Sequence, residues 1–439
     1  MLVPTSLSLK DKASYLRTLP AIRERCGRVF ELAKAGKLEY FDYHPDKEED
    51  VTTYCLNIIQ RDFGTDYNKA SSHSIPPHGR WRHFDLGSER VEPLYAKWQS
   101  AGTHESSKRL VDLFLVSVLL DAGAGKDWSY HEKSTGQTYS RSEGLAICSL
   151  HMFEDGLFSS QPDQPHRVDA VGLSKITPQT VASHMQVSES NPIVGLEGRT
   201  SLLRNLSDAL SASPELFGSD GRPGNMLDFL EKESKLEGST RLVPLAALWH
   251  VLIDGLNPIW PASRTKLAGV SLGDVWPCNA LKANSPSTSE EGDDFVPFHK
   301  LTQWLTYSLV EAITFTNRNW KFVGLEDMTG LPEYRNGGLL LDIGVITLKP
   351  NVLPTDPNSG LPKAASSDPA IVEWRALTVI MLDRIADSIR QKLNLTPDQL
   401  NLAQVLESAT WKGGREIAKQ KRPASGGPPL ELESDGTVF

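Results

Sequence analysis

Cysteine is scarce and scattered. The four residues Cys26, Cys55, Cys148 and Cys278 stand far apart in a chain of 439 and make no CxxC pair. That excludes a zinc ribbon and a disulfide framework, and a reducing compartment is the simplest expectation. Long apolar runs are missing as well. The most apolar stretch, Leu110 to Leu120, is short and carries Asp112, far from what a bilayer span needs. The opening residues MLVPTSLSLKDKASYLR have no apolar centre of the secretory kind. A cytoplasmic, soluble protein is the expectation, with no membrane partner. Positive charge is not in excess either: 46 Lys+Arg against 55 Asp+Glu leave a net charge of −9. Such a balance argues against a nucleic-acid partner, though it permits a local basic pocket for one phosphate.

Several catalytic signatures are also absent. The eleven histidines form no HExxH, and although Gly269-Val-Ser-Leu-Gly273 spells GxSxG, a serine triad is not expected. His78 and His83 flank Arg80-Trp81-Arg82 at poor metal-ligand spacing. The segment Asp121-Ala-Gly-Ala-Gly-Lys126 invites a phosphate-loop reading and fails it. Leu120 stands where the first glycine belongs, Asp127 stands where Ser or Thr is required, and the segment follows a helical pattern rather than a strand. Neither a metal nor an organic cofactor is expected.

What remains is a globular composition, 39% hydrophobic and 23% charged. Helical periodicity dominates, which predicts a mainly α fold with a small β element. Val51, Tyr54, Cys55, Ile58 and Ile59 share one helical face, with Gly64 as the stop, and Pro20 opens a second helix that Gly36 closes. Further helices are expected near 107–121, 141–153, 178–187, 195–211, 224–234, 243–254, 297–314 and 368–393. Thr396-Pro-Asp-Gln399 reads as a capping box opening a helix from about 397 toward 419. Strand signals are few: Leu339 to Leu348, and more weakly Phe41 to Tyr43. Residues 1–421 are expected to form one large helical catalytic domain, with division into two lobes left open. The stretch 260–295 reads as a loop insertion, packed in its aromatic first half and solvated in its polar second half. Residues 422–439 read as a flexible tail.

Three constellations carry chemistry. In the helix after Asp368, Glu373 falls on the stripe of Ala376, Leu377, Ile380, Met381 and Ile385. A carboxylate there needs a partner or a purpose, and a buried pair with Arg375 weighs evenly against function. On the helix around Lys300, Leu301, Leu305, Leu309 and Ile313 form a core stripe, while Lys300, Gln303, Trp304 and Tyr307 run beside it at i, i+3, i+4, i+7. This second stripe suits a pocket that stacks and orients a polar ligand, although an amphipathic flank explains the spacing better on its own. In Leu331-Pro-Glu-Tyr-Arg-Asn-Gly-Gly-Leu-Leu-Leu-Asp342, the charges of Glu333, Arg335 and Asp342 gather on a glycine-bearing turn. Catalysis and a solvated hairpin tip weigh equally there.

The runs HGRWRHF (78–84), DAGAGKDW (121–128), SRSEGLA (140–146), NPIVGLEGRTSLLRNL (191–206), LNPIWP (256–261), GVSLGDVWP (269–277), PFHKLTQWLTYSL (297–309), GLPEYRNGGLLLDIG (330–344) and DPAIVEWRALTVIMLDR (368–384) resemble the uracil-catabolism protein 4 family of fungi and bacteria. That resemblance spans about residues 10 to 420. It implies a place in a pathway that opens the uracil ring at the nucleotide level and disposes of ribosylurea species. Several segments also resemble the queuosine 5′-phosphate N-glycosylases, helical relatives of helix-hairpin-helix DNA glycosylases, which implies a DNA-glycosylase-like helical fold. Their Lys-Arg-Ala-Gln helix is similar to Lys300-Leu-Thr-Gln303, their Glu-Ile-Arg helix to Glu373-Trp374-Arg375, and their Leu-Val-Glu-Glu-Arg core to Ile193–Arg199. Their Asp-Tyr-Arg turn is similar to Glu333-Tyr334-Arg335, so the resemblance puts their catalytic aspartate at Glu333, with a longer side chain.

The resemblance therefore implies hydrolysis of the N-glycosidic bond of a ribosylurea, most simply its 5′-phosphate. Glu333 is the candidate carboxylate beside C1′, and Glu373 a candidate acid for the leaving group. Trp304, Trp260 and Trp276 are candidate walls, and Lys300, Arg335, Arg80 and Arg82 candidate phosphate ligands. Gln303, Tyr307, Tyr334, Arg375 and Asp121 complete the expected binding set for a small ribosylurea- or nucleotide-like molecule. An amidohydrolase attacking the urea carbonyl, or a non-catalytic nucleotide-binding regulator, are the alternatives.

Overall fold

The computed structural model describes residues 8–64, 74–121, 123–125 and 127–433. Ala122 and Lys126 of the glycine-rich segment, and the last six residues of the tail, lie outside the described residues. The fold is mainly α with small β pieces, as the periodicity predicts. No described helix is long and apolar enough to cross a membrane.

The described chain separates into two compact units. The first takes the residues up to His78, then Ser263–Lys300, then the residues from Asp327 onward; the second takes Gly79–Ala262 and Leu301–Glu326. In the first unit the helices Leu19–Lys34 and Glu48–Phe63 form where the apolar spacing put them, the latter capped by Gly64. Helix Pro369–Leu393 buries Ala376, Leu377, Met381 and Ile385 of its predicted stripe and leaves Ile380 half-buried. In the second unit, Thr103–Leu119, Arg141–Glu154, Pro178–His184 and Leu196–Ala212 match the expected helices within a few residues. Helix Lys300–Thr316 is buried on nearly every side, so its stripe of Gln303, Trp304 and Tyr307 is no solvated flank.

Three expectations are corrected. Residues 339–343 are not strand: Tyr334–Ile343 is a helix, and only Ile346–Leu348 is extended. A short apolar run reads alike as buried helix or buried strand, and Gly337 and Gly338 continue the helix instead of breaking it. The shortened strand pairs antiparallel with Phe41–Tyr43, Phe41 opposite Leu348, so the two foreseen strand signals are partners. The capping box sits five residues later than expected, at Asn401 and Gln404, where the side chain of each meets the other's backbone N–H. Thr396 makes only a local turn. Finally, the tail is not free up to Glu433. Leu430 is buried, and Glu431–Glu433 pairs in parallel with Lys363–Ala365.

The segment from 260 onward carries regular structure in place of an unbroken loop. Leu267, Leu272 and Val275 pack with Ala13 and Leu16, and two short hairpins, Lys266–Leu267 with Val270–Ser271 and Val275–Pro277 with Phe295–Pro297, give it form. Most of residues 284–291 are exposed.

Two close approaches in the first unit set the position of helix Tyr334–Ile343. Trp374 lies on Gly337 and donates Nε1–H to its carbonyl at 3.1 Å; a Cβ at Gly337 would stand 2.6 Å from that indole. Helix Trp411–Lys421 presses Gly414 onto Arg335, where a Cβ would fall 2.1 Å from the Arg335 carbonyl oxygen. Backbone cannot step aside as a flexible side chain can. Gly414→Ala should therefore lower unfolding stability by about 1–3 kcal/mol, the usual cost of overpacking. A reduced urea midpoint at unchanged slope is the expected reading; an unchanged midpoint contradicts the close approach.

Candidate functional site

The segment Leu331-Pro332-Glu333 makes a tight turn, Glu333 N–H donating to the Leu331 carbonyl at 2.9 Å, and Glu333 is the N-cap of helix Tyr334–Ile343. The first N–H groups of a helix lack partners of their own and need acceptors. Glu333 supplies both: Oε2 accepts from Arg335 N at 2.6 Å and Oε1 from Asn336 N at 2.7 Å. Glutamate is not the usual residue here, because Ser, Thr, Asp and Asn reach the amides with less chain to fold back. The carboxylate is buried. Burial pushes its pKa up, and the two amides together with the charges of Lys300 and Arg335 offset only part of that rise.

The residue that ties this corner together is Asp274, which no local pattern picks out. Its two carboxylate oxygens take Arg375 Nη1 and Nη2 at 2.8 Å each. Oδ2 also accepts the backbone N–H of Lys300 at 2.9 Å, and Oδ1 the indole N–H of Trp276 at 2.7 Å. Arg375 stacks on Phe298 at 4.1 Å and donates Nε–H to the Pro332 carbonyl at 3.3 Å. Burial alone would raise the Asp274 carboxyl; the charge and hydrogen bonds of Arg375, helped by Lys300 N–H and Trp276, hold it far below the ordinary range. One anion thus fixes the backbone at Lys300 and, through Arg375, the peptide leading into Glu333. Just before Lys300, His299 holds a left-handed backbone at φ 48° and donates Nε2–H to the Leu16 carbonyl at 2.9 Å.

Other foreseen residues of this unit are tied elsewhere. Glu373 lies on the buried stripe, but the even-odds pair with Arg375 does not form. Its oxygens accept the backbone N–H groups of Glu39 and Tyr40 at 3.0 Å each. Burial raises its pKa against those two bonds, and no described hydrogen bond joins it to Glu333. The charged turn of Glu333, Arg335 and Asp342 is split rather than gathered. Arg335 covers Tyr334 at 5.0 Å and donates to the Gly426 carbonyl at 2.7 Å, while Asp342 pairs with Arg422 at 2.8 Å.

Arg80, Asp121, Trp304, Gln303, Tyr307, Trp260 and Arg82 belong to the second unit. Three of them meet. Fully buried Arg80 pairs with Asp121 at 2.6 Å and donates to Ser117 Oγ at 2.8 Å and Ser142 Oγ at 3.1 Å. Asp121 also accepts the Ser142 hydroxyl and, at 3.2 Å, the indole N–H of Trp304. His83 completes the group, its Nδ1 3.3 Å from Arg80 Nη1 and its ring tilted on Trp304 at 5.5 Å. The Arg80 guanidinium is thus engaged with side chains of its own unit. Arg82 pairs with Glu311. Arg199 caps the exit of helix Thr103–Leu119 through Leu120 O and Gly123 O, and burial brings its pKa down to about 10. Gln303, Tyr307 and Trp260 are buried.

A family model described as "Protein of unknown function (DUF1688)" matches residues 15–439. "Uracil catabolism protein 4" of Lachancea kluyveri is 41% identical over 450 residues, covering 99% of this chain and all of that protein. "Protein urg3" of Schizosaccharomyces pombe is 40% identical over 434 residues, covering 98% of this chain and 99% of that protein.

Removing one partner of a buried pair strands the other charge. Asp274→Asn should lower stability by roughly 3–5 kcal/mol, while Asp274→Leu combined with Arg375→Met should cost less than the two single changes added together. A chemical-denaturation cycle that proves additive would contradict the coupling.

Proposed function

The chain belongs to the family of uracil catabolism protein 4, and on that premise we propose that it acts in uracil catabolism as a hydrolase that cleaves the N-glycosidic bond of a ribosylurea, releasing intact urea and the ribose. The observation that carries this reading is Glu333: a buried carboxylate, clamped at a helix N-terminus by two backbone amides, with the charge of Lys300 felt at its oxygens.

Cleavage of this bond builds positive charge on C1′ and the ring oxygen. A dehydrated anion fixed beside C1′ opposes that charge more strongly than one in water, and its orientation costs nothing at the moment of reaction. The same carboxylate accepts a proton from the attacking water. Its two amide bonds keep one lone pair on each oxygen engaged, so the remaining lone pairs point in fixed directions. Lys300 follows the backbone that Asp274 fixes, and an ammonium group there suits the 5′-phosphate of a phosphorylated substrate. Glu373 supports the Glu39–Tyr40 backbone and has no proton-transfer role in this mechanism.

Glu333→Gln should cut urea release by about 10²–10⁴-fold, the range for loss of a general base; release at the wild-type rate sinks the assignment. The sign of the pH dependence follows from the burial of Glu333. Its proton is held more tightly than that of an ordinary glutamate, and only the ionised form is active. kcat/KM should therefore fall as pH drops, along an acid limb above pH 4.5 that is missing in Glu333→Gln. Lys300→Gln removes a charge that favours the carboxylate, so it should move that limb to higher pH and raise KM more for the phosphorylated substrate than for ribosylurea itself. An unmoved limb and equal losses on both substrates would remove Lys300 from the site.

A further inference from the structure

Asn336 follows Glu333 by three residues and is fully buried, at 0% exposure. Its bonds fix which end of its amide is which. Nδ2 donates to the Leu331 carbonyl at 3.0 Å, leaving Oδ1 at the opposite end, an acceptor with no partner among the described residues. Buried acceptors of this kind cost about 1–3 kcal/mol when left unmet, and native proteins retain few of them. The backbone N–H of the same residue donates to Glu333 Oε1 at 2.7 Å. Two acceptors therefore share one helical turn: the Glu333 carboxylate and the Asn336 carbonyl. Both are held by bonds to the backbone, so neither is adjustable.

Water is the small donor that such a pair suits, because it carries two O–H bonds, one for each acceptor. Resting on the hydrolytic reading above, we propose that Asn336 is a catalytic residue whose Oδ1, together with Glu333, holds the attacking water. Each acceptor takes one O–H, so the water presents a lone pair to C1′. In the step, the water oxygen bonds to C1′ and the C1′–N bond breaks with its electron pair leaving on nitrogen. Glu333 takes one water proton, and the departing nitrogen takes up one proton from solvent as it becomes urea. Loss of the Glu333 proton to solvent restores the start, with the net addition of one water across the bond.

The test is a competition between nucleophiles. Methanol has a single O–H and cannot satisfy both acceptors, so the wild-type protein in water–methanol mixtures should favour ribose over methyl riboside. Asn336→Leu removes the second acceptor, and the preference for water should fall by up to about tenfold, the worth of one hydrogen bond. Asn336→Asp keeps an oxygen there while losing the donor to Leu331, and should retain the preference; Asn336→Ala takes the place of the Leu variant if the latter does not fold. A role confined to holding the Leu331 turn predicts that both products fall together at a fixed ratio in every variant, and that outcome overturns the proposal. Absence of urea release by the wild-type protein from ribosylurea and from its 5′-phosphate overturns the hydrolytic reading itself, and this inference with it.

Discussion

A single buried anion organises the first unit. Asp274 sits in the insertion between two long helical stretches, where sequence offers only Gly273-Asp-Val-Trp276, yet two distant parts of the chain, at Lys300 and Arg375, converge on it beside its own Trp276. A bidentate arginine, an indole N–H and a helix-opening amide leave its carboxylate nearly saturated. In a low-dielectric interior that saturation is what makes the charge tolerable, since an ion stripped of water needs a donor for each lone pair. The consequence is geometric. The peptide before Glu333 and the backbone of Lys300 are both referred to the same two oxygen atoms, so their separation is set by short hydrogen bonds and not by loop conformation.

Against that frame, the helix that begins at Tyr334 brings its own electrostatics. Its first amides would need acceptors in any protein; here the acceptor is a glutamate folded back on itself and shut away from solvent. A surface cap of Ser or Asp would serve stability as well or better. The arrangement instead stores a carboxylate with a raised pKa among positive charges, the kind of tension that recurs at catalytic centres. Glycines at 337 and 414 permit the indole of Trp374 and the 411–421 helix to pack closely on the helix that Glu333 caps.

Much of this architecture is written locally in the sequence, and some of it is not. Helices with a clean apolar stripe and a glycine stop, such as Glu48–Phe63, are legible because period and punctuation agree. Leu339–Ile343 is not, because a run of apolar residues suits a buried helix and a buried strand equally, and what settles it is the Glu333 cap upstream. The Thr396 pattern lost to Asn401 because both offer a side-chain acceptor three residues before a glutamine, and only the second leads directly into residues that pack. Glu373 was legible as buried but not in its partners, the amides of Glu39 and Tyr40, more than three hundred residues away in the chain. Asp274 was invisible for the same reason. An ion pair between residues 101 apart leaves no periodic trace in one sequence. Arg375 was the available clue, since a buried guanidinium implies a carboxylate somewhere.

In the proposed chemistry, water adds at the sugar carbon and not at the urea carbonyl. The most direct measurement is to incubate the purified protein with ribosylurea 5′-phosphate in water enriched in heavy oxygen, quench early and weigh the products by mass spectrometry. The account predicts one heavy oxygen atom in the ribose 5-phosphate and unlabelled, intact urea. Heavy oxygen in carbon dioxide, released together with ammonia, would contradict it.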